Sequence, residues 1–309
     1  MLQLQRMDKL SPNTQWLRTG KNLHKNLSGA AHCVCYEMQI PDSAKRMPII
    51  RQLQELALFC LTAPLVVFGE EDLGHPPANT FSIVAIDSET GEMGIAVQSK
   101  IVAVGAVCAF ASADAGVVAT QAYANMNYGP MGLQLLRIGL APDQAIELMT
   151  EHDPLKEKRQ VAVIDPQGRV SAFTGKECND WAGQKTGDGY SVQGNLLVGE
   201  EVLTEMAKAF EETEGVLAER LIAAMRAGQA AGGDKRGKQS AALIVVKEGW
   251  GYGGTSDRLR DIRVDDHEAP IEELARVYKL HREMFKRRDE AARKRAAEES
   301  QEKEKKEEE

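Results

Sequence analysis

From Thr80 onward the apolar positions fall into short runs divided by polar turns. Thr80–Ile86 (TFSIVAI) is followed by Asp87-Ser88-Glu89-Thr90-Gly91-Glu92 and then by Met93–Ser99, a pattern that predicts a β-hairpin. Val102–Phe110 and Val117–Gln121 are nearly continuous in Val and Ala, which predicts two more strands buried on both faces. The period then changes. Pro130–Ile138 carries Met131, Leu133, Leu135 and Leu136 and stops near Gly139. Pro142 and Asp143 open a second helix that buries Ala145, Ile146, Leu148 and Met149. Strands return at Gln160–Ile164 and Arg169–Phe173, around the turn Asp165-Pro166-Gln167-Gly168, and again at Tyr190–Val198. Glu200–Glu212 and Val216–Ala227 read as amphipathic helices, Ala241–Val246 as a late strand, and Leu274 to Phe285 as a further helix.

Strand runs and helix runs are segregated rather than alternating, so the pattern predicts an α+β fold of two sheets covered by helix pairs, not a doubly wound parallel sheet. No linker and no repeat of 20–50 residues divides this region. We therefore expect one domain over 80–268, then a C-terminal helix and charged tail over 269–309, where 18 of the last 24 residues are charged.

The first 79 residues differ. Residues 1–46 hold no sustained period and read as an unstructured leader. The pair Cys33 and Cys35, with no second pair, is a weak metal signal. Leu56–Phe68 (LALFCLTAPLVVF) is thirteen uncharged residues long, short of the roughly 20 that cross a bilayer as a helix. With Arg51 before it and Val67 and Gly69 at the −3 and −1 positions of a cut, it fits a signal peptide over 47–69 starting at Met47. The alternative is a buried helix, which Pro64 interrupts. Export to the periplasm or outside is the expectation, a cytoplasmic location the alternative, and residues 70–79 become a short propeptide or linker. An exported body would retain two cysteines, Cys108 and Cys178, enough for one internal disulfide.

Charge narrows the function. The chain carries 38 Lys+Arg against 46 Asp+Glu, and residues 80–285 alone hold 21 basic and 30 acidic side chains. An acidic body repels phosphate backbones, so a dedicated nucleic-acid binder is not expected, and no segment suits an integral membrane protein. The sequence does not specify whether the chain forms a homo-oligomer.

Polar and glycine-rich stretches beside apolar strands mark the candidate chemistry. They are Gln98-Ser99-Lys100; Thr120-Gln121 leading to Asn125-Met126-Asn127-Tyr128-Gly129; Cys178–Gly183; Gln193-Gly194-Asn195; and Ala231–Ala242 (AGGDKRGKQSAA). The Gly232-Gly233 run lacks the spacing of a phosphate loop and precedes a strand rather than a helix. No GxSxG or HExxH occurs. Asp265-Asp266-His267 is a tight acid–imidazole cluster, and three consecutive residues rarely converge on one metal, so no metal or other cofactor is expected.

Taken in order, TFSIVAID, TGEMGIAVQSK, AVGA, VATQA, YGPMGL, RQVAVID, the TG–C–WAG stretch, SVQGN, AGGDKRGKQSAAL and VDDH resemble an uncharacterised bacterial family, domain of unknown function 1028. That family is grouped by fold with the N-terminal-nucleophile (Ntn) hydrolases, so the resemblance implies a four-layer αββα sandwich. It also implies an amidohydrolase whose nucleophile is Thr80, acting on a small-molecule amide or short peptide. The chemistry is coherent. A threonine hydroxyl is a weak nucleophile without a base, and a free α-amine titrates near neutral pH and lies on the same residue. Lys100 would keep that amine neutral by like-charge repulsion, and Gln193 or Asn195, or nearby backbone N–H groups, would hold the oxyanion. Gln98, Ser99, Gln121, Asn127, Asp234, Arg236 and Gln239 are the candidate substrate-binding residues. Here 79 residues precede Thr80, so the Asn79–Thr80 bond must be cut before the amine exists. The contrasting expectation is a non-catalytic binding or scaffold protein on the same fold, with that bond intact.

Overall fold

Along β1 (Thr80–Asp87) the side chains divide by parity, and that division sets the layers. The protein is described by a computed structural model covering residues 77–308. The expected leader, the signal segment and residues 70–76 of the linker lie outside the described residues. β1 pairs with β2 (Glu92–Ser99) as the expected hairpin, Thr80 opposite Ser99 and Asp87 opposite Glu92. After α1 (Val104–Cys108) come β3 (Ala109–Ser112), β4 (Gly116–Ala122), α2 (Tyr128–Arg137) and α3 (Pro142–Thr150). Next are β5 (Arg159–Ile164), β6 (Val170–Thr174), β7 (Gly183–Gly187) and β8 (Tyr190–Gly194). The chain continues through α4 (Glu201–Glu212), α5 (Leu217–Ala230), β9 (Ser240–Val246), β10 (Arg258–Val264) and α6 (Pro270–Glu308). Six strands form one sheet in the order β10-β9-β2-β1-β8-β7 and four form the other as β3-β4-β5-β6, with every pairing antiparallel.

Three apolar clusters fill the spaces between the layers. Phe81, Ile83, Val192 and Leu243 face Leu203, Met206, Phe210, Leu221 and Met225 of α4 and α5, with Leu274 and Tyr278 of α6 at the edge. Val84, Ile95, Val97 and Ile244 face Val117, Ala119, Ala162 and Ile164 between the sheets. Val118, Val161 and Val163 take Leu136, Ile146 and Met149 of α2 and α3. Helices, sheet, sheet and helices follow in that order. This is the expected α+β architecture. Among the described residues, every strand and helix, and every buried apolar side chain except Ala78, lies at or after Thr80, so a chain beginning there keeps all of these elements.

The structure departs from the apolar pattern in four places. Val102–Phe110 is not one strand: Ala103 takes a left-handed φ of 56°, α1 follows, and only then does β3 begin. An unbroken Val/Ala run carries no period to distinguish helix from strand. Gly105 of α1 lies so close to β9 that a Cβ there would sit 2.4 Å from Ala242 Cβ. β7 (GQKTG) escapes an apolar search because it is a polar edge strand. β10 escapes because Arg258, Asp261 and Arg263 occupy its exposed positions. The predicted strand at Tyr190–Val198 ends at Gly194, since Leu196 turns at φ 54°.

One buried ion pair ties the α3–β5 connection. Arg159 Nε donates to Asp153 Oδ2 at 2.9 Å, with both side chains almost fully enclosed. Tyr128 Oη adds a 2.5 Å bond to the same oxygen, and the Leu155 N–H reaches Oδ1 at 2.8 Å. Burial pushes the Asp153 carboxyl upward, but the hydrogen bonds from Arg159 and Tyr128 outweigh it and hold the carboxyl below its ordinary value. A carboxyl depressed in the folded state contributes stability above its unfolded pKa and loses it as pH falls through the folded one. Asp153→Ala would take from the buried Arg159 guanidinium its Asp153 carboxylate. We expect urea denaturation at pH 7 to report a loss of roughly 3–5 kcal/mol, narrowing toward acid pH.

Candidate active site

The even-numbered residues of β1 turn inward between the sheets, and at the Thr80 end these positions are polar. Register decides their neighbours: Thr80 pairs with Ser99, and Ser82 with Gln193. Gln121 on β4 and Gln160 on β5 oppose each other in the second sheet and point back at them. All six are fully buried, so their polar groups must satisfy one another. Gln193 Nε2 donates to Ser82 Oγ (2.6 Å), and Ser82 Oγ donates to Gln121 Oε1 (2.6 Å). Gln121 Nε2 donates to Gln160 Oε1 (2.8 Å) and to the Thr80 carbonyl (3.3 Å). Gln160 Nε2 reaches Thr174 Oγ1, the Gly183 carbonyl and the Gly194 carbonyl at 2.9–3.0 Å. Asn195 Nδ2 donates to Gln160 Oε1 at 2.9 Å, and the Asn195 backbone N–H holds the Thr80 carbonyl at 3.1 Å. Asn195 Oδ1 is buried with no hydrogen-bond partner.

The two residues before Thr80 complete the site. Ala78 forms a β-bridge with Ala122, whose N–H donates to the Ala78 carbonyl at 3.0 Å. Thr80 Oγ1 donates to the same carbonyl at 2.6 Å. The Asn79 carbonyl, which belongs to the Asn79–Thr80 peptide bond, accepts from Ser99 Oγ at 2.5 Å and from Arg236 Nη2 at 2.7 Å. Asn79 Oδ1 accepts from Asn179 Nδ2 at 3.2 Å. Arg236 is itself fixed by the buried Asp234, through Nε at 3.1 Å and Nη2 at 2.6 Å.

Glycine chemistry explains how the AGGDKRG run delivers that guanidinium. Gly232 has φ +116°, with a Cβ position 2.4 Å from Val198 Cγ2, and Gly233 has φ +61°. A side chain would be strained at both and would collide at the first. The turn they permit brings Asp234 into a bridge with Leu197 and aims Arg236 at Asn79.

Of the candidate residues, Thr80, Ser99, Gln121, Gln193, Asn195, Asp234 and Arg236 lie together around Asn79 and Thr80. Four candidates do not join them. Lys100 lies just past the end of β2, exposed, with its ammonium on the Lys238 carbonyl at 3.3 Å. Gln98 has the opposite parity to Ser99 and is buried on the helix-facing side, both amide atoms unpartnered. Asn127 is exposed at the start of α2, its N–H on Asn125 Oδ1. Gln239 directs its amide to Asp266 Oδ1 at 3.2 Å, and His267 Nδ1 accepts from the Ala269 N–H, so the acid–imidazole cluster is tied into its own loop. Gln193 and Asn195 bond within the network, while Ser99 and Arg236 are the donors on the Asn79 carbonyl. Ser82 and Gln160 are participants the sequence reading did not single out, and Asn179 belongs to the Cys178–Gly183 stretch without being named there as a site residue. Parity offered a signal for Gln160, which shares the inward face with Ala162 and Ile164.

Cys108 is another participant not foreseen. Its thiol lies within hydrogen-bonding reach of the Thr80 side chain, and burial pushes it up to about 12. Cys178 is pushed to about 11 by burial, and the two cysteines are not paired. Neither supplies thiolate at neutral pH. Iodoacetamide at pH 8 should leave both unlabelled in folded protein and label both in denaturant, read residue by residue by peptide mass spectrometry. Near the network, beyond Thr174 and Gly183, lies a polar cavity of about 430 Å³ bordered by Lys176, Cys178, Asp180 and Gln184.

The model of a family of unknown function (DUF1028) matches residues 80–274. The crystal structure of protein SPO2555 from Silicibacter pomeroyi, described as DUF1028, is 33% identical, covering 66% of this chain and 86% of that one with a TM-score of 0.61. The Anbu (ancestral beta-subunit) structure from Yersinia bercovieri aligns over 65% of this chain and 94% of its own, at 11% identity and a TM-score of 0.32. No curated protein matches the chain. Among the described residues, no helix is long and apolar enough to cross a membrane.

Proposed function

The chain belongs to the DUF1028 family, and from that premise we propose that it is an Ntn-type amidohydrolase, exported and activated by cutting its own Asn79–Thr80 bond. The observation that carries this reading is the junction. The carbonyl of the bond to be cut is held by a hydroxyl and a guanidinium, on the residue adjoining a buried threonine hydroxyl.

The reaction follows from those atoms. Thr80 Oγ attacks the Asn79 carbonyl carbon, and the oxygen that becomes negative already faces Ser99 Oγ and Arg236 Nη2. Donors fixed beforehand at a developing oxyanion are the strongest single device available to such a site. Collapse breaks the C–N bond, the hydroxyl proton goes to the leaving nitrogen, and Asn79 is left as an ester on Thr80. Water then releases the Asn79 carboxylate and restores the hydroxyl. The freed nitrogen is now a base beside its own hydroxyl, able to take its proton when a substrate amide arrives.

The direct test is the chain's own end. Intact-mass and N-terminal analysis of protein purified from its native host should find the mature chain starting at Thr80. A native chain that keeps residues before Thr80 and still hydrolyses amides would overturn the proposal, since an amide nitrogen is not a base.

A further inference from the structure

We infer that the substrate's acyl side is a peptide-like group ending in asparagine, preceded by a small residue such as alanine; this rests on the amidohydrolase reading above. The argument is an identity of intermediates. Self-cleavage leaves the Ala78-Asn79 acyl group as an ester on Thr80 Oγ. A substrate of the form acyl-Ala-Asn-NHR gives the same dipeptidyl ester: the Thr80 O–C bond forms, the C–N bond breaks, and the hydroxyl proton passes through the α-amine to the leaving amine. Water then adds to the ester, releasing the asparaginyl carboxylate and restoring the hydroxyl. A site that completes the first reaction presents the same acyl-binding contacts to the second.

Those contacts discriminate. Asn79 is almost wholly buried, and its carboxamide oxygen takes Asn179 Nδ2 at 3.2 Å. A leucine at this enclosed position would give up the bond to Asn179, itself an exposed side chain, so the discrimination comes from the hydrogen bond lost by the buried Asn79 carboxamide. Ala78 packs into the inter-sheet cluster, with its carbonyl on the Ala122 N–H. A bulky residue would have to displace packed Val and Ala side chains. The main chain of the acyl group is therefore read as an added strand segment beside β4, with one polar and one small subsite.

Binding separates this inference from the catalytic one. A chain beginning at Thr80, its initiator methionine removed, would be titrated calorimetrically with N-acetyl-Ala-Asn, N-acetyl-Ala-Leu and N-acetyl-Phe-Asn. Their free carboxylates offer an oxygen to Ser99 and Arg236. N-acetyl-Ala-Asn should bind tighter than either of the others by roughly tenfold or more, and Asn179→Ala should bring it level with N-acetyl-Ala-Leu. Equal affinities, a preference for leucine, or no binding by any of the three would overturn the inference, and comparing peptides on unaltered protein needs no variant to fold. Hydrolysis of N-acetyl-Ala-Asn anilide is scored separately. Selective binding without turnover leaves the subsites standing and removes the amidohydrolase; turnover of anilides without asparagine preference does the reverse.

Discussion

Thr80→Ala is expected to leave the Asn79–Thr80 bond uncut and to lower amide hydrolysis by roughly 10⁴–10⁶-fold, the range in which loss of a covalent nucleophile falls. Two defects are merged in that number. Without the hydroxyl nothing attacks the junction, and without cleavage there is no α-amine to serve as base. A chain made to begin at residue 80 separates them, because there alanine supplies the amine and lacks only the nucleophile. It should remain inactive. Thr80→Ser keeps both groups and should process and turn over, more slowly, since a serine lacks the methyl that limits rotation of the hydroxyl. Folding is a minor factor: the Thr80 side chain donates to a carbonyl that Ala122 also satisfies, and its other polar neighbour is the Cys108 thiol, a weak hydrogen-bonding group. Full turnover by Thr80→Ala would remove this residue from the chemistry.

Much of this arrangement is legible before any coordinates, and the reason differs by element. The β1–β2 hairpin is readable because a six-residue polar turn separates two apolar runs. The helices α2 to α5 are readable because their apolar residues recur on one face. α1 is not, since Val102–Phe110 has no period to break the tie and the decisive event is the backbone of Ala103. The site divides in the same way. Thr80 and the polar stretches stand out as polar residues beside apolar strands, whereas their grouping depends on parity and register. Ser99 and Gln98 are adjacent in sequence, yet one reaches the Asn79 carbonyl and the other is buried behind the sheet. Lys100 and Arg236 are both cations in glycine-rich or polar stretches. Only the turn at Gly232-Gly233 and the anchor at Asp234 decide which one meets the junction.

That last contrast yields the second large effect. Ser99→Ala removes one of the two donors from the Asn79 carbonyl and should slow junction cleavage by roughly 10²–10³-fold, the usual consequence of deleting one oxyanion donor. Arg236→Ala should slow it at least as much, but its interpretation is harder. It strands the Asp234 carboxylate, which is fully enclosed, and breaking a buried pair by removing one partner destabilises strongly. Arg236→Lys keeps the charge and gives up the paired Nε and Nη2 contacts to Asp234, so an intermediate rate with nearly normal stability would attribute the effect to geometry rather than charge alone. Lys100→Ala serves as the control. Its ammonium is exposed and occupied with the Lys238 carbonyl, and its loss should alter processing by no more than about twofold. The measurement is a time course of precursor and mature chain by intact mass after synthesis, with urea stability recorded for each variant. The two donors act on one oxygen, so removing both should cost less than the product of the single effects. Should Lys100→Ala prove slow while Ser99→Ala and Arg236→Lys process normally, the carbonyl contacts would be structural, and the cation governing cleavage would lie on the other strand end.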